Sequence, residues 1–202
     1  MNTPAPRGRE RPGPVLAAVG TAAVVRRPGG TRGRHRDPVL GGSGLLMAAA
    51  GAALGLPTRL ACHVGSDPDG TRIRDWASAA DVQLFAGRSA RATVGLVEAL
   101  VDGEGMITAG TADPGPAAPA LWAAAQDADI LLVGDTSDRS LRLVLRGSDQ
   151  PGRRLLVTNL SAAWTRSWPL SRTLWKASNL VTLGDAELHR LGLTCSAARN
   201  LL

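Results

Sequence analysis

The stretch that decides the fold is GGSGLLMAAAGAALGLP, residues 41–57, in which a glycine turn is followed directly by small and aliphatic residues. The pattern predicts a helix from Leu45 to Leu54, with its stop at Gly55-Leu56-Pro57. Because exposed amides at a helix N-terminus bind anions, the glycines form a phosphate cradle, a pocket for another ligand, or only a tight turn. No GK[ST] sequence follows and the GxGxxG spacing is absent, so the turn is neither a P-loop nor a dinucleotide fingerprint.

Predicted strands and helices alternate along the rest of the chain. Residues 92–110 contain two β-like runs around Asp102-Gly103, which predicts a hairpin. The alternation predicts an α/β fold: a mainly parallel sheet with flanking helices, plus a small β hairpin. Any ligand site then lies at the carboxyl ends of the strands. Buried strands are predicted at residues 15–20, 58–65, 129–134, 153–160 and 178–184, and helices at residues 71–80, 118–128, 137–148 (with Ser137 as N-cap) and 185–192.

Positive charge is concentrated at the start of the chain. The net charge is +6, and residues 1–36 hold eight arginines and a single acid, Glu10. A basic arm can bind the phosphates of nucleic acid, but no aromatic residue stands among these arginines to stack on bases. Residues 1–14 are also rich in proline and glycine, so we expect a flexible basic extension there. Nucleic-acid binding is kept as the lowest alternative.

Cysteine usage and hydropathy indicate the cellular compartment of the protein. Cys62 and Cys195 are isolated, which indicates a reducing compartment without a disulfide framework, and the three scattered histidines predict no metal site. Residues 15–25 imitate the apolar region of a signal peptide, but Arg26-Arg27 stand where a small-residue cleavage site is expected. No apolar run reaches the ~20 residues that span a bilayer. The sequence therefore predicts a cytoplasmic protein with no membrane partner.

Four motifs occur in order along the chain. GGSGLLMA (41–48) matches the pattern GG-x-x-x-N, and GSDPDG (65–70) matches G-D-D-x-x-G. TVGLVEALVDGEGMI (93–107) is a strand–hairpin stretch with a D-G-E-G type turn, and LGDAE (183–187) matches P-N-x-x-E. Each motif alone is weakly specific, but their order resembles that of the ribokinase-like (PfkB) carbohydrate kinases. The resemblance implies that residues 15–202 form a ribokinase-like α/β domain from which the C-terminal part of the fold is missing.

The resemblance also implies a reaction, the ATP- and Mg²⁺-dependent phosphorylation of a hydroxyl on a small sugar-like or nucleoside-like molecule. Gly41, Gly42 and Ser43 then lie on the substrate side of the cleft, where glycine lets the backbone approach a hydroxylated ligand closely. Glu187 corresponds to the Glu that helps organise metal and phosphate in the family, and the neighbouring Asp185 can substitute in part for the Asn of that motif. Alternatively, Asp185 and Glu187 are first-turn acids that complement a helix dipole.

Three positions depart from the family pattern. Val25 stands where the family has a sugar-facing Asp, and Leu46 stands where it has an Asn that binds substrate hydroxyls. Gly184 replaces the Asn of the N-x-x-E motif. A site built to bond hydroxyls loses selectivity steeply when its hydrogen-bonding groups become hydrocarbon, so the sugar specificity of the family is not expected here.

The catalytic Asp and the ATP site of the family are not found in the sequence. After residue 152, no glycine-rich helix start is followed by Asp, and we assign no catalytic residue. Gly134-Asp135 ends a predicted strand but lacks the GxGD pattern. Two main hypotheses follow: a sugar or nucleoside kinase that is inactive as this isolated chain, and a non-catalytic remnant or small-molecule-binding protein. Under both, a homodimer or a partner chain is expected to cover the edge of the incomplete sheet.

Overall fold

The computed structural model describes residues 13–26, 37–86, 89, 91–101, 104–110, 113–148, 155–160 and 168–183. The strands are β1 (Leu16–Val19), β2 (Ala23–Arg26), β3 (Val39–Gly41), β4 (Thr58–Ala61), β5 (Val82–Phe85), β6 (Val94–Val101), β7 (Glu104–Gly110), β8 (Ile130–Val133), β9 (Leu155–Leu160) and β10 (Leu180–Leu183). The helices are α1 (Ser43–Ala53), α2 (Pro68–Ala79), α3 (Ala118–Ala125), α4 (Asp138–Ser148) and α5 (Trp168–Ala177). The helix predicted at residues 185–192 lies outside the described residues.

Six strands form a parallel sheet, the large sheet, in the order β10-β9-β8-β1-β4-β5. The central strand β1 is a continuous apolar run, as expected of a parallel strand that is buried on both faces. Ala17 and Val19 face a core cluster shared with α3, α4 and α5, whereas Leu16 and Ala18 face a second cluster shared with α1 and α2. The predicted α/β fold with a mainly parallel sheet and flanking helices is therefore confirmed.

Four further strands form a separate sheet, the small sheet, in the order β3-β2-β6-β7. The predicted hairpin is present as the antiparallel pair β6–β7, and β2 joins it in parallel, with β3 antiparallel on its outer side. Sequence patterning does not predict β2 and β3. For β2 the reason is that residues 16–25 are all buried, so hydrophobicity gives no break where the chain leaves β1 at Gly20 and enters the second sheet.

Element ends differ from the predicted ones where polar side chains set them. α2 begins at Pro68 rather than at residue 71, because the Asp67 side chain accepts a hydrogen bond from the Gly70 amide and caps the helix. The predicted cap of α4 is confirmed, since Ser137 Oγ accepts from the Ser140 amide at 3.3 Å. α1 begins at Ser43, two residues before the predicted start, and α5 is not predicted.

The order of the large sheet marks where a ligand site is expected. From β1 the chain proceeds outward to β4 and β5 on one side, while from β8 it proceeds to β9 and β10 on the other. The connections leaving the carboxyl ends of β1 and β8 therefore turn to opposite faces of the sheet. Such a reversal opens a crevice at the strand ends, which is the usual ligand position in open α/β sheets.

Candidate functional site

The connections after β1 and β8 meet at this crevice. Thr21, which follows β1, donates its amide to the carbonyl oxygen of Asp135, which follows β8, at 2.6 Å. The Thr21 hydroxyl lies 2.7 Å from Asp113 Oδ2 and 2.9 Å from the same Asp135 carbonyl oxygen. The Asp135 amide donates a hydrogen bond to Ser43 Oγ, at the start of α1, at 2.7 Å. Residues from four separate segments are thus hydrogen-bonded together at one end of the large sheet.

The glycine turn before α1 packs against the backbone that leaves β1. Gly42 has a φ of +94°, and a Cβ there would lie 2.4 Å from the Thr21 carbonyl oxygen. A Cβ on Gly44 would lie 2.6 Å from the carbonyl carbon of Gly20. The Thr21 carbonyl oxygen accepts hydrogen bonds from the amides of Gly44 and Leu45, at 3.0 and 3.2 Å. Because the amides of Gly44 and Leu45 already have a partner, they are not free to bind a phosphate, and the turn packs tightly against the backbone that leaves β1.

The predicted substrate residues lie beside this turn. Gly41 is buried at the end of β3, and Gly42 and Ser43 are half-buried at the start of α1. Two of the three departures from the family pattern lie in the same region. Val25 is buried in β2, with its Cγ2 within 2.7 Å of the position a Cβ on Gly41 would take, and Leu46 is 58% exposed in α1. The role of Gly41, Gly42 and Ser43 in binding stays a prediction.

The GSDPDG motif joins the large sheet to the chain that enters β6. Asp67 Oδ1 accepts from the Gly70 amide at 2.8 Å and from the Thr93 hydroxyl at 2.6 Å, while Oδ2 accepts from the Thr93 amide at 2.7 Å. Thr93 Oγ1 in turn accepts from the Gly65 amide at 3.0 Å. Desolvation of the Asp67 carboxyl opposes ionisation, but the hydrogen bonds from Thr93 and Gly70 outweigh it and lower the pKa of Asp67. The motif therefore has a structural role in these contacts.

Asp113, like Thr21, is a site residue that the sequence does not predict. It lies between β7 and α3, where the Asp-Pro-Gly sequence indicates only a turn. Asp113 also affects Cys62, which is fully buried. Burial raises the pKa of the Cys62 thiol, and the negative charge of Asp113 raises that pKa further. The positive charge of Arg74 lowers it by a smaller amount. Cys62 is therefore a protonated core residue and not a nucleophile.

No protein-family model and no curated protein matches this chain. Among solved structures, it is similar to the ATP-bound fructokinase from Xylella fastidiosa, with 20% identity and a TM-score of 0.72, over 93% of this chain and 64% of that one. A fructokinase double mutant from Vibrio cholerae with fructose, ADP and potassium ion gives 18% identity and a TM-score of 0.72, over 96% and 69%. The adenosine kinase from Schistosoma mansoni with adenosine gives 14% and 0.70, over 95% and 69%.

The chain has the fold of the ribokinase-like kinases. The predicted resemblance is thus confirmed for the fold. Sequence identities of 20% or below support the fold alone. The chain spans about two thirds of the length of these ribokinase-like structures, from 64 to 69%. No helix in the described part of the chain has the length and apolarity needed to cross a membrane.

The remaining predicted residues of the ribokinase-like pattern are not placed. Asp185, Glu187 and Gly184 lie outside the described residues, and their roles stay predictions. Within the ranges described above, no three His, Cys, Asp or Glu side chains lie close enough together to hold a metal ion. The amides of Gly44 and Leu45 in the first turn of α1 already bond the Thr21 carbonyl oxygen. ATP and Mg²⁺ therefore stay implied by the resemblance alone.

Proposed function

We propose that this chain is the acceptor-binding portion of a ribokinase-like phosphotransferase, holding a small hydroxyl-bearing molecule at the carboxyl end of the large sheet. The observation that carries the proposal is the position of the small sheet. It is attached at the crevice between β1 and β8, where the strand order reverses and where α/β sheets bind ligands. The similar solved structures are fructokinases and an adenosine kinase, which supports an acceptor of sugar or nucleoside class.

The proposed acceptor contacts are the backbone of Gly41 and Gly42 and the hydroxyl of Ser43. Ser43 Oγ accepts a hydrogen bond from the Asp135 amide, so its own proton remains available for a ligand oxygen. Val25 and Leu46 offer only hydrocarbon to a ligand in this region. A polyol that loses a hydrogen bond at each position binds about 1–3 kcal/mol more weakly per unpaired group. The acceptor we propose is therefore less hydroxylated than a free hexose on the side that meets these residues.

Phosphoryl transfer itself is not proposed for residues 1–202 alone. ATP and Mg²⁺, when bound by such kinases, supply the phosphoryl group and neutralise its charge. The described residues contain no cluster of three metal-ligating side chains, and the sequence after residue 152 carries no glycine-rich helix start followed by Asp. A non-catalytic binding protein is the second candidate, favoured by the aliphatic side chains of Val25 and Leu46. Cytoplasmic localisation stays a prediction under both.

The test uses purified residues 1–202 with fructose, adenosine and a panel of less hydroxylated alcohols. Calorimetry measures binding, and ATP consumption with Mg²⁺ measures transfer. Binding without ATP consumption supports the proposal. ATP-dependent phosphorylation would show that residues 1–202 also transfer the phosphoryl group, and would overturn the assignment of acceptor binding alone. Binding of none of the compounds overturns the acceptor site.

Matched variants locate the site within this test. Leu46→Asn, on the same helix as the glycine turn, is expected to shift preference toward the more hydroxylated ligands of the panel. Leu54→Asn is the control, because Leu54 is 77% exposed at the opposite end of α1. Equal effects of the two substitutions would contradict a site at the start of the helix.

A further inference from the structure

The small sheet is connected to the rest of the molecule by four chain crossings, and two of them are joined directly. The chain passes from β1 to β2 through Thr21, and it passes from β7 to α3 through Asp113. These residues are 92 positions apart in the sequence, and their side chains are hydrogen-bonded at 2.7 Å. One contact thus links the first segment that leads into the small sheet with the last segment that leaves it.

Asp113 is fixed on its own side of this contact. Its Oδ1 accepts from the Gly115 amide at 2.7 Å, which closes a turn around Pro114. Gly115 has a φ of +71°, and a Cβ there would lie 2.3 Å from Ser140 Oγ and 2.5 Å from Ser137 Oγ. The turn is therefore packed against the start of α4, and the Asp113 carboxylate has little freedom to follow the strand that precedes it.

Thr21 is fixed on the other side. Its amide donates to the Asp135 carbonyl oxygen, and its carbonyl oxygen accepts from Gly44 and Leu45 at the start of α1. The hydroxyl is the remaining polar group of the residue, and it meets the carboxylate. Hydrogen bonds to a charged acceptor are about twice as strong as those between neutral groups.

We propose that Asp113 and Thr21 are positioning residues, which hold the exit of the small sheet to its beginning and so set how the small sheet lies over the crevice. The small sheet is also attached through Asp67 and Thr93, before β6. The Asp67–Thr93 contact holds the chain just before β6. The Thr21–Asp113 contact holds the chain just before β2 and just after β7. The effect on acceptor affinity rests on the proposed function; the effect on the small sheet does not.

Hydrogen–deuterium exchange of the full 202-residue chain tests the proposal. Thr21→Val and Asp113→Ala remove the contact, and exchange of the amides in β2, β6 and β7 is expected to rise about tenfold. Exchange in β4, β8 and β9 of the large sheet is expected to change by less than about twofold.

Two conservative variants are the controls. Thr21→Ser keeps the hydroxyl. Asp113→Asn keeps both contacts. The oxygen of the asparagine side chain can accept from the Gly115 amide, and its nitrogen can donate to Thr21 Oγ1. The Thr21 hydroxyl then donates its own proton to the Asp135 carbonyl oxygen. Both are expected to exchange like the unmodified chain.

Any one of three exchange results would overturn the proposal: unchanged exchange in the small sheet, an equal rise in both sheets, or controls that behave like the disruptive variants. If Asp113→Ala does not fold, Asp113→Ser replaces it, since its side chain is too short to reach Thr21. If Thr21→Val fails to fold while Thr21→Ser folds, the contact supports the whole molecule and the proposal is wrong.

Affinity for fructose and adenosine, measured by calorimetry, separates this proposal from the proposed function. If the unmodified chain binds either probe, Thr21→Val is expected to weaken binding about fivefold, the worth of about one hydrogen bond. Thr21→Ser is expected to restore it. If the unmodified chain binds neither probe, the proposed function fails, and exchange alone still decides the positioning role.

Discussion

The centre of the large sheet and its β9–β10 end differ in how completely other elements cover them. At the centre, every residue of β1 is at most 5% exposed, with helices on both faces and hydrogen-bonded connections at the carboxyl end. At the outer strands, Leu155 of β9 is 43% exposed and Leu180 of β10 is 51% exposed. Burial of a parallel strand depends on cover from both faces, and alternation of strands and helices does not guarantee that cover at the end of a sheet.

The exposed side chains share one face of the outer strands. Leu156 points to the face packed by α4 and α5, so its neighbour Leu155 and also Val157 point to the opposite face. Leu180 pairs in register with Val157 and lies on that same face. On this side of the sheet, the helices of the described ranges are α1 and α2, which pack over the strands around β1, β4 and β5. The contrast between a closed centre and an open end can be tested by substitution.

The largest effect is expected from Gly44→Ala, at the closed centre. The added Cβ would lie 2.6 Å from backbone of Gly20, which cannot move without shifting β1. We expect a loss of about 3 kcal/mol in the free energy of unfolding, measured by denaturant titration. Gly95→Ala in the small sheet is the control, because its Cβ would lie 3.4 Å from the flexible Arg26 side chain. Similar losses for both would show that the close backbone approach is not what makes Gly44 necessary.

Asp67→Ala is expected to cost about 2 kcal/mol, because it removes the cap of α2 and leaves Thr93 without its carboxylate partner. The pKa of Asp67 is lowered below its ordinary value of 3.8. Its carboxylate therefore contributes stability that is present above that ordinary value and is lost as the pH falls through the lower value in the folded protein.

Asp67→Asn tests the pH dependence separately from the cap. It is expected to flatten the dependence of unfolding free energy on pH below about 4, measured by chemical denaturation across an acid series. Asp81→Asn is the control: Asp81 is exposed, at the turn that follows α2. An unchanged acid profile for Asp67→Asn would contradict the hydrogen-bonded, ionised carboxylate.

Five of the six strands of the large sheet could be predicted from the sequence because each contains an apolar run bounded by polar residues or glycine. The sixth, β5, is not predicted, because it is short and Gln83 interrupts its apolar residues. The small sheet could be predicted only as far as the hairpin. Ala23 and Val24 are as buried as Ala17 and Ala18, so no change in hydrophobicity marks the passage from one sheet to the other. The turn at residues 41–44 was predicted, but whether its amides were free depended on the Thr21 carbonyl, a contact fixed by tertiary packing.

The candidate site was less predictable than the fold for the same reason. Gly42 and Ser43 belong to a motif that sequence reasoning recognises. Asp113 carries no such signal, and its importance comes from a hydrogen bond to a residue 92 positions away. Contacts of that kind follow from how the connections converge at the end of the sheet and leave no local pattern.

The smallest effect on stability is expected from Leu155→Lys and Leu180→Lys. These two substitutions also test the exposed apolar face at the β9–β10 end of the large sheet. Because both side chains are exposed, the free energy of unfolding should change by less than about 0.5 kcal/mol. If the sequence-based prediction of a homodimer or partner chain is right, the unmodified chain self-associates or precipitates through this apolar face. Lysine there should then raise the monomer fraction in light scattering, whereas Leu54→Lys directly after α1, also at an exposed position, should not. A monodisperse monomer of the unmodified chain would contradict self-association, since the uncovered face would then be tolerated in water.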